Sequence, residues 1–341
     1  MSGLIQSLHS HTTTSDGKLT HTELLKAAHK YEIGTVAFTD HDALPDESTL
    51  RALASYKGYP TKWIIGIEIS SGLPIEVGYG PYAGLHIVGL FVDPTNRPLL
   101  EHCRKAQNAR VSRMEKIVAN LTGLGFHITI ADCLKASGGE AVGRPHIVQA
   151  LKSKTENLTI IDKYIQKMAA DTSNNSQVKQ KYDWMIERKD AQAVYTLFLS
   201  DDSYVPNVYV DYLYWTDMDK TVGLIRQAGG LAIVAHYSTA KTKVPLDMLE
   251  KFITAKRLDG LETVYGVYGL EGSEQTDWDS DRVLLRQLVA RYHCLKSGGA
   301  DVHSVEDLSF FAGRQDYSRE TIGMAETIIS QSKVDTTWSS F

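Results

Sequence analysis

The chain has 341 residues, 43% hydrophobic and 23% charged, with a formal net charge of -5. This is the composition of an ordinary soluble globular protein, long enough for one barrel plus an insertion or for two modest domains. The acidic balance argues against broad, charge-driven nucleic-acid binding but leaves room for phosphate recognition at one site.

Cys103, Cys133 and Cys294 are scattered without metal-binding or redox spacing, so free thiols in a reducing compartment are expected. No basic leader with an apolar core and no apolar run of membrane-spanning length is visible, and the reading is of a cytoplasmic protein.

In chain order, the short apolar run Leu4, Ile5 to Leu8 predicts a first strand, Ser15-Asp16-Gly17 a turn, and Thr22 to Tyr31 a helix with Leu24, Leu25, Ala27 and Ala28 on one face. Val36 to Phe38 predicts a second strand, completing a βαβ unit. Pro45 to Tyr56 reads as a helix with Asp46 and Glu47 in its first turn, followed by a strand over Trp63 to Ile67. Ser71 to Gly84, rich in Gly, Pro and Tyr, predicts a loop over the site. Leu85 to Phe91 is a fourth strand with His86 near its start.

The pattern changes between Leu99 and about Val205. Helices are predicted over Arg104 to Leu124, Ala131 to Ser137, Ile147 to Lys152 and Thr159 to Ala170. The polar stretch Asp171 to Asp190 is either an exposed turn followed by a helix or a partly mobile segment. The alternation resumes with a helix over Met218 to Ala228 and a strand into His236. A helix follows over Pro245 to Lys256, then a strand over Gly260 to Val264 carrying Glu262, a helix over Arg282 to Tyr292, a strand into Asp301-Val302-His303 and a closing helix near Ile322 to Ser332. The expected domains are residues 1–98 and 206–341 as one barrel and residues 99–205 as a helical insertion.

Metal-binding residue types recur where buried-looking strands end. His9 and His11 stand at alternate positions of an extended segment, so both imidazoles face one side. Later strands run into Asp40-His41-Asp42, Glu68, His236 and Asp301-Val302-His303. An α/β barrel keeps its chemistry at the carboxyl ends of its strands, where side chains distant in sequence converge. The candidate ligands are His9, His11, Asp16, His41, Glu68, His86, His236, Asp301 and His303. Imidazole and carboxylate without thiolate suit Zn²⁺, Mn²⁺ or Fe²⁺, and the set exceeds what one ion can use, so two or three divalent ions are expected.

The His-x-His, Ser-Asp-Gly, Thr-Asp-His-Asp, Gly-x-Glu-Ile-Ser, Ala-His and Asp-x-His segments, spread from Leu8 to His303, resemble those of the PHP (polymerase and histidinol phosphatase) phosphoesterases. The resemblance implies an α/β fold, a distorted (β/α)₇ TIM-like barrel with a helical insertion acting as a lid. It also implies a trinuclear centre. His9, His11, Glu68 and Asp301 would hold one ion, Glu68 would bridge to a second held by His86 and His236, and Asp16, His41 and His303 would hold the third.

Asp40 and Asp42 are expected to orient His41. Ser7 stands where many relatives carry an aspartate, and Tyr237 and His21 stand where proline is common. His21 reads as an exposed helix-start residue, and His29, His102, His127 and His293 read as structural. Glu262 is expected to hydrogen-bond in the barrel mouth without a catalytic part.

Within the insertion, Val142-Gly143-Arg144-Pro145-His146 has the look of a phosphate site, because a guanidinium fork suits a phosphate dianion and a neighbouring glycine allows close approach. The bland alternative is a helix cap. Similar Gly-Arg-x-His segments occur in the PHP branch of nucleoside 3′,5′-bisphosphate phosphatases and 5′-to-3′ exoribonucleases.

The expectation is a phosphoesterase in which metal-activated hydroxide attacks a small nucleotide, most simply a nucleoside 3′,5′-bisphosphate. Glu68, Arg144 and His303 are its catalytic residues, and Arg144 and His146 bind substrate. No obligate protein partner or membrane is expected. The rivals are 5′-to-3′ exonucleolysis of short RNA, hydrolysis of histidinol phosphate, and a barrel without catalysis that serves as a binding module.

Overall fold

The computed structural model describes residues 3–73, 85–138, 142–187, 190–211, 214–265 and 273–341, with the backbone alone at 190, 191 and 273–277. Most of the loop expected over the site, including Tyr79 and Tyr82, lies outside the described residues. The chain divides into two compact units, residues 1–106 with 215–341, and residues 107–214.

The first unit is a seven-stranded sheet in the order β1 (Ile5–Ser7), β2 (Ile33–Phe38), β3 (Lys62–Ser71), β4 (Leu85–Leu90), β5 (Leu231–Val234), β6 (Gly260–Tyr265) and β7 (Leu295–Gly299). All neighbours pair in parallel except β4, which is antiparallel to both β3 and β5. The ladder does not close formally. The segment beyond β1 nevertheless meets β7 and the residues after it, with Leu8 N donating to Gly298 O at 3.0 Å and His11 N to Val302 O at 2.7 Å. The result is a distorted, incompletely closed TIM-like barrel.

Strand alternation divides the core. Val36, Phe38, Ile65, Ile67, Ile87 and Val234 join one buried cluster with the helices α1 (His21–Lys30), α9 (Met218–Gln227), α10 (Leu246–Thr254) and α11 (Ser273–Tyr292). Leu8, Ala37, Ile64, Val88, Ile233 and Leu295 face the other way and join a second cluster. Because both faces are covered, the strands read as nearly continuous apolar runs.

Helix starts follow local chemistry: Thr20 and Glu23 form a capping box on α1, Asp46 caps α2 (Glu47–Ala54), and Asp217 caps α9. The carboxyl-terminal tail adds to β3, with Ile65 N donating to Trp338 O at 3.0 Å and Ser340 N to Trp63 O at 2.9 Å.

The long helix α3 (Arg97–Gly123) begins in the first unit and continues into the second, which also contains α4 (Ile130–Ser137), α5 (Arg144–Lys152), α6 (Thr155–Asp171), α7 (Ser176–Glu187), α8 (Asp190–Val194) and a π-helical turn over Tyr195–Leu199. Its own core includes Met114, Ile117, Leu121, Leu151, Met168 and Leu197. Phe198 meets Phe126 and Tyr164 edge to face at 5.2 and 5.1 Å. The stretch for which the sequence left two alternatives contains the helix α7.

Candidate metal centre

Seven of the nine candidate ligands occupy strand ends or the segments just after them, Glu68 lies inside β3, which runs on to Ser71, and Asp16 lies in the turn after β1. His9 and His11 follow β1, with a glycine packed beside each. A side-chain carbon at Gly299 would collide with the His9 backbone, and one at Gly17 with the His11 carbonyl. His236 and Asp301 turn inward with left-handed backbones, φ +26° and +51°. Such conformations cost roughly 1–3 kcal/mol each and persist where surrounding structure enforces them.

His86 reaches the same end by a different route. Since β4 runs antiparallel, its beginning lies at the carboxyl ends of the other strands, with Glu68 opposite Val88 and Ser70 opposite His86.

Glu68 is the hub. Its Oε1 lies 2.7 Å from His86 Nδ1 and 2.9 Å from His236 Nε2. Its Oε2 lies 3.2 Å from His9 Nε2, 3.2 Å from His11 Nε2 and 3.0 Å from His41 Nδ1. Asp301 Oδ1 stands 3.1 Å from His11 Nε2, and His303 Nε2 stands 3.5 Å from Asp16 Oδ1.

Three overlapping groups each bring their ligand atoms within 4.8 Å of one another: His11, Asp16, His41 and His303; His9, His11, Glu68 and Asp301; and His41, Glu68 and His86. His11 Nδ1, Asp16 Oδ1, His41 Nδ1 and Glu68 Oε2 are buried without a hydrogen-bond partner. Lone pairs left this way are costly unless a cation takes them, so the residues present fit divalent metal.

Burial favours the neutral form of every group here, and mutual charge overrides it for most. Burial would raise Glu68, Asp16 and Asp301, but the surrounding imidazoles hold all three well below the usual carboxylate range. Burial would lower His11, yet Asp301 and Glu68 carry it up to about 10. His9, His236 and His303 are raised against burial in the same way, with Glu262 and Glu68 acting on His9, Glu68 on His236 and Asp16 on His303. His86 is lowered, because burial outweighs Glu68 there.

An outer layer orients the ligands. Glu262 Oε1 meets His9 Nδ1 at 2.9 Å, and its Oε2 accepts from His236 N at 2.9 Å. His236 Nδ1 faces Thr239 Oγ1 at 3.0 Å. Ser7 Oγ donates to His9 O and accepts from Ala300 N, joining the two ends of the sheet.

Two sequence expectations need correction. Asp40 does not serve His41: it accepts from Thr12 N (2.7 Å), Thr12 Oγ1 (2.8 Å) and Ser15 Oγ (2.6 Å), and so fixes the turn that carries Asp16. His21 is not exposed: at 5% exposure it packs on the Phe38 ring, with Nε2 4.0 Å from Asp40. An aromatic neighbour on β2 gives its burial a reason that sequence spacing alone did not reveal. His102, read as structural, is buried with Nε2 3.3 Å from Asp42 Oδ1, and Asp42 also accepts from Ser70 N.

Arg144 and His146 belong to the second unit. Arg144 is exposed at the first position of α5, with Nη1 donating to Leu199 O at 3.1 Å. His146 is buried, and its Nδ1 accepts from Gly143 N at 2.9 Å, the geometry of a cap on α5.

Residues 7–164 match the PHP domain family. The chain is similar to a 3′,5′-nucleoside bisphosphate phosphatase of Chromobacterium violaceum, 27% identical over 310 residues that cover 88% of this chain and 91% of the relative. It is 25% identical to the 5′-3′ exoribonuclease Rnm of Escherichia coli, over 88% of this chain and 85% of that protein. Among solved structures, a proposed metal-dependent phosphoesterase of Bifidobacterium adolescentis superposes with a TM-score of 0.61 at 25% identity, covering 87% of both chains.

Proposed function

We propose, for a chain that carries a PHP domain and is a metal-dependent phosphoric ester hydrolase, that the substrate is a nucleoside 3′,5′-bisphosphate and that Glu68 bridges a cluster of two or three divalent ions. The observation that carries the reading is the Glu68 carboxylate itself, with one oxygen shared by His86 and His236 and the other by His9, His11 and His41. Divalent ions bound there would supply charge to the phosphoryl oxygens and acidify a water for in-line attack.

The chain's own residues prepare that chemistry. Glu262 and Thr239 fix the rings of His9 and His236, so that each presents Nε2 inward. Asp40 holds the turn that carries Asp16. His303, whose side chain is 35% exposed, stands at the solvent side of the cluster, where substrate arrives. Arg144 supplies a guanidinium for the phosphate that is not cleaved, and His146 fixes the turn that presents it. Mn²⁺, Zn²⁺ and Fe²⁺ all suit this donor set. The free cysteines Cys103, Cys133 and Cys294 accord with a cytoplasmic setting.

A second reading, 5′-to-3′ hydrolysis of short RNA, is favoured by the similarity to the Escherichia coli enzyme over nearly the same span. The purified chain with Mn²⁺ is to be challenged in parallel with adenosine 3′,5′-bisphosphate, a 5′-phosphorylated oligoribonucleotide and histidinol phosphate. The expected preference is for the bisphosphate. Faster release of mononucleotides from the oligonucleotide would move the assignment to the exonuclease, and preference for histidinol phosphate would contradict both.

A further inference from the structure

A buried polar cluster stands behind His236, made of Ser238, Tyr265 and Asp281, each no more than 8% exposed. Ser238 lies in the single 3-10 turn Tyr237–Thr239 that follows His236, Tyr265 ends β6, and Asp281 comes from α11. Ser238 Oγ stands 2.5 Å from Asp281 Oδ2 and also contacts the Tyr265 hydroxyl, while Ser238 N donates to that hydroxyl at 3.4 Å. Lys241, just beyond the turn, places Nζ 2.9 Å from the same Asp281 oxygen.

The direction of these bonds follows from the groups. A carboxylate paired with an ammonium only accepts, so the one hydroxyl hydrogen of Ser238 goes to Asp281. Ser238 Oγ then accepts from Tyr265, whose phenol is pushed up by burial to about 12 and so keeps the proton that it donates. Bonds that end on a charged group are the stronger kind, and Asp281 collects two of them from the segment after His236. The neighbouring Arg282 donates from Nη1 to Tyr265 O at 3.0 Å, so α11 grips the end of β6 as well as the turn.

His236 needs such a grip. Its backbone, at φ +26° and ψ +57°, is one that a non-glycine residue holds only where its surroundings enforce it. Glu262 secures the near end of the turn by accepting from His236 N. At the far end, the Thr239 hydroxyl that meets His236 Nδ1 belongs to the residue next to Ser238. Release of Ser238 lets the backbone relax and carries Thr239 away, and the imidazole turns with it. Metal–ligand distances hold to within about 0.2 Å, so a small rotation is enough to weaken binding.

We propose that Asp281 is a positioning residue of the metal centre: through Ser238 it holds the turn that keeps His236 Nε2 aimed at Glu68. The inference rests on the metal-cluster reading of the site for what His236 holds, and on the hydrogen-bonded chain for the role of Asp281.

Chelator competition for Mn²⁺, run on the full chain and resolved by equivalent, tests it. Asp281→Ala and Ser238→Ala are each expected to weaken one equivalent at least about fivefold, less than the roughly 10–100-fold typical of a ligand's direct partner. The remaining equivalents keep wild-type affinity. The double variant is expected to be no weaker than the weaker single one, because both act through one chain of bonds. Asp281→Asn still accepts from Ser238 and is expected to stay within about threefold of wild type.

Ser238→Ala leaves the Asp281–Lys241 pair intact and no charge unpaired, so it decides the matter should Asp281→Ala fail to fold. Wild-type affinity in both alanine variants would overturn the inference and leave the proposed function standing. Equal weakening of every equivalent, or an Asp281→Asn variant as weak as Asp281→Ala, would show a merely structural role and overturn it too. A wild-type chain that binds no metal would overturn both the inference and the proposed function.

Discussion

His9 Nδ1 lies 2.9 Å from Glu262 Oε1, which leaves His9 Nε2 as the ring nitrogen aimed at Glu68 and Asp301. The carboxylate therefore fixes both the tautomer and the tilt of the ring, and it also accepts from His236 N on the neighbouring strand end. Loss of such an orienting partner typically weakens metal affinity by about 10–100-fold. Glu262→Ala is expected to fall in that range in chelator competition, and Glu262→Gln, which retains an acceptor, is expected to lose less. Wild-type affinity in Glu262→Ala would show that the contact does not matter.

Glu68 touches imidazoles from five separate positions, so its replacement cannot be confined to one ion. Glu68→Gln is expected to lower the metal content of protein prepared with ample Mn²⁺ by more than one equivalent per chain and to abolish hydrolysis. Elemental analysis decides this, and a loss of one equivalent or less would rule out the bridging role.

Asp40 accepts three hydrogen bonds from Thr12 and Ser15 while buried at 1% exposure. Asp40→Ala leaves those donors without an acceptor, at a cost of roughly 1–3 kcal/mol for each one that stays buried and unsatisfied. The variant is expected to unfold at lower denaturant and to bind metal more weakly through displacement of Asp16. Unchanged stability with unchanged metal content would contradict the assigned role.

The pH dependence of the metal-free chain follows from the same cluster. His9, His11, His236 and His303 have raised pKa values, His11 reaching about 10. Their stabilisation is full below the unfolded value of about 6.5 and is lost as pH rises through the folded values. Asp16, Glu68 and Asp301 are depressed, so their contribution is present above about pH 4 and is lost as pH falls below it. The chelated chain should lose thermal stability between about pH 6.5 and 10, the upper limit set by His11. Added metal requires neutral imidazole, so its stabilisation should grow over the same interval. Melting curves with and without chelator check both signs, and parallel pH profiles would refute the linkage.

Much of this was legible in the sequence because the barrel rewards one simple pattern, an apolar run ending in a ligand. That pattern located His9, His11, His41, His236, Asp301 and His303 just past strand ends, whereas Glu68, expected where its strand stops, lies inside β3, which runs on to Ser71. It was less informative for His86, which begins its strand, because no residue of β4 signals that it runs against its neighbours.

The partners of Asp40 were hidden for a different reason: Thr12 and Ser15 are ordinary turn residues until the turn folds back over β2. The helix α12 (Val305–Gly313) was missed, although Ser304 and Asp307 form its capping box and their spacing was there to be read.

The most direct test of the account is the rate of phosphate release from adenosine 3′,5′-bisphosphate as metal equivalents are returned to the chelator-stripped chain. The account predicts no release without metal and a rate that keeps rising beyond one equivalent per chain. Release that survives chelation, or a full rate reached with a single equivalent, would contradict it.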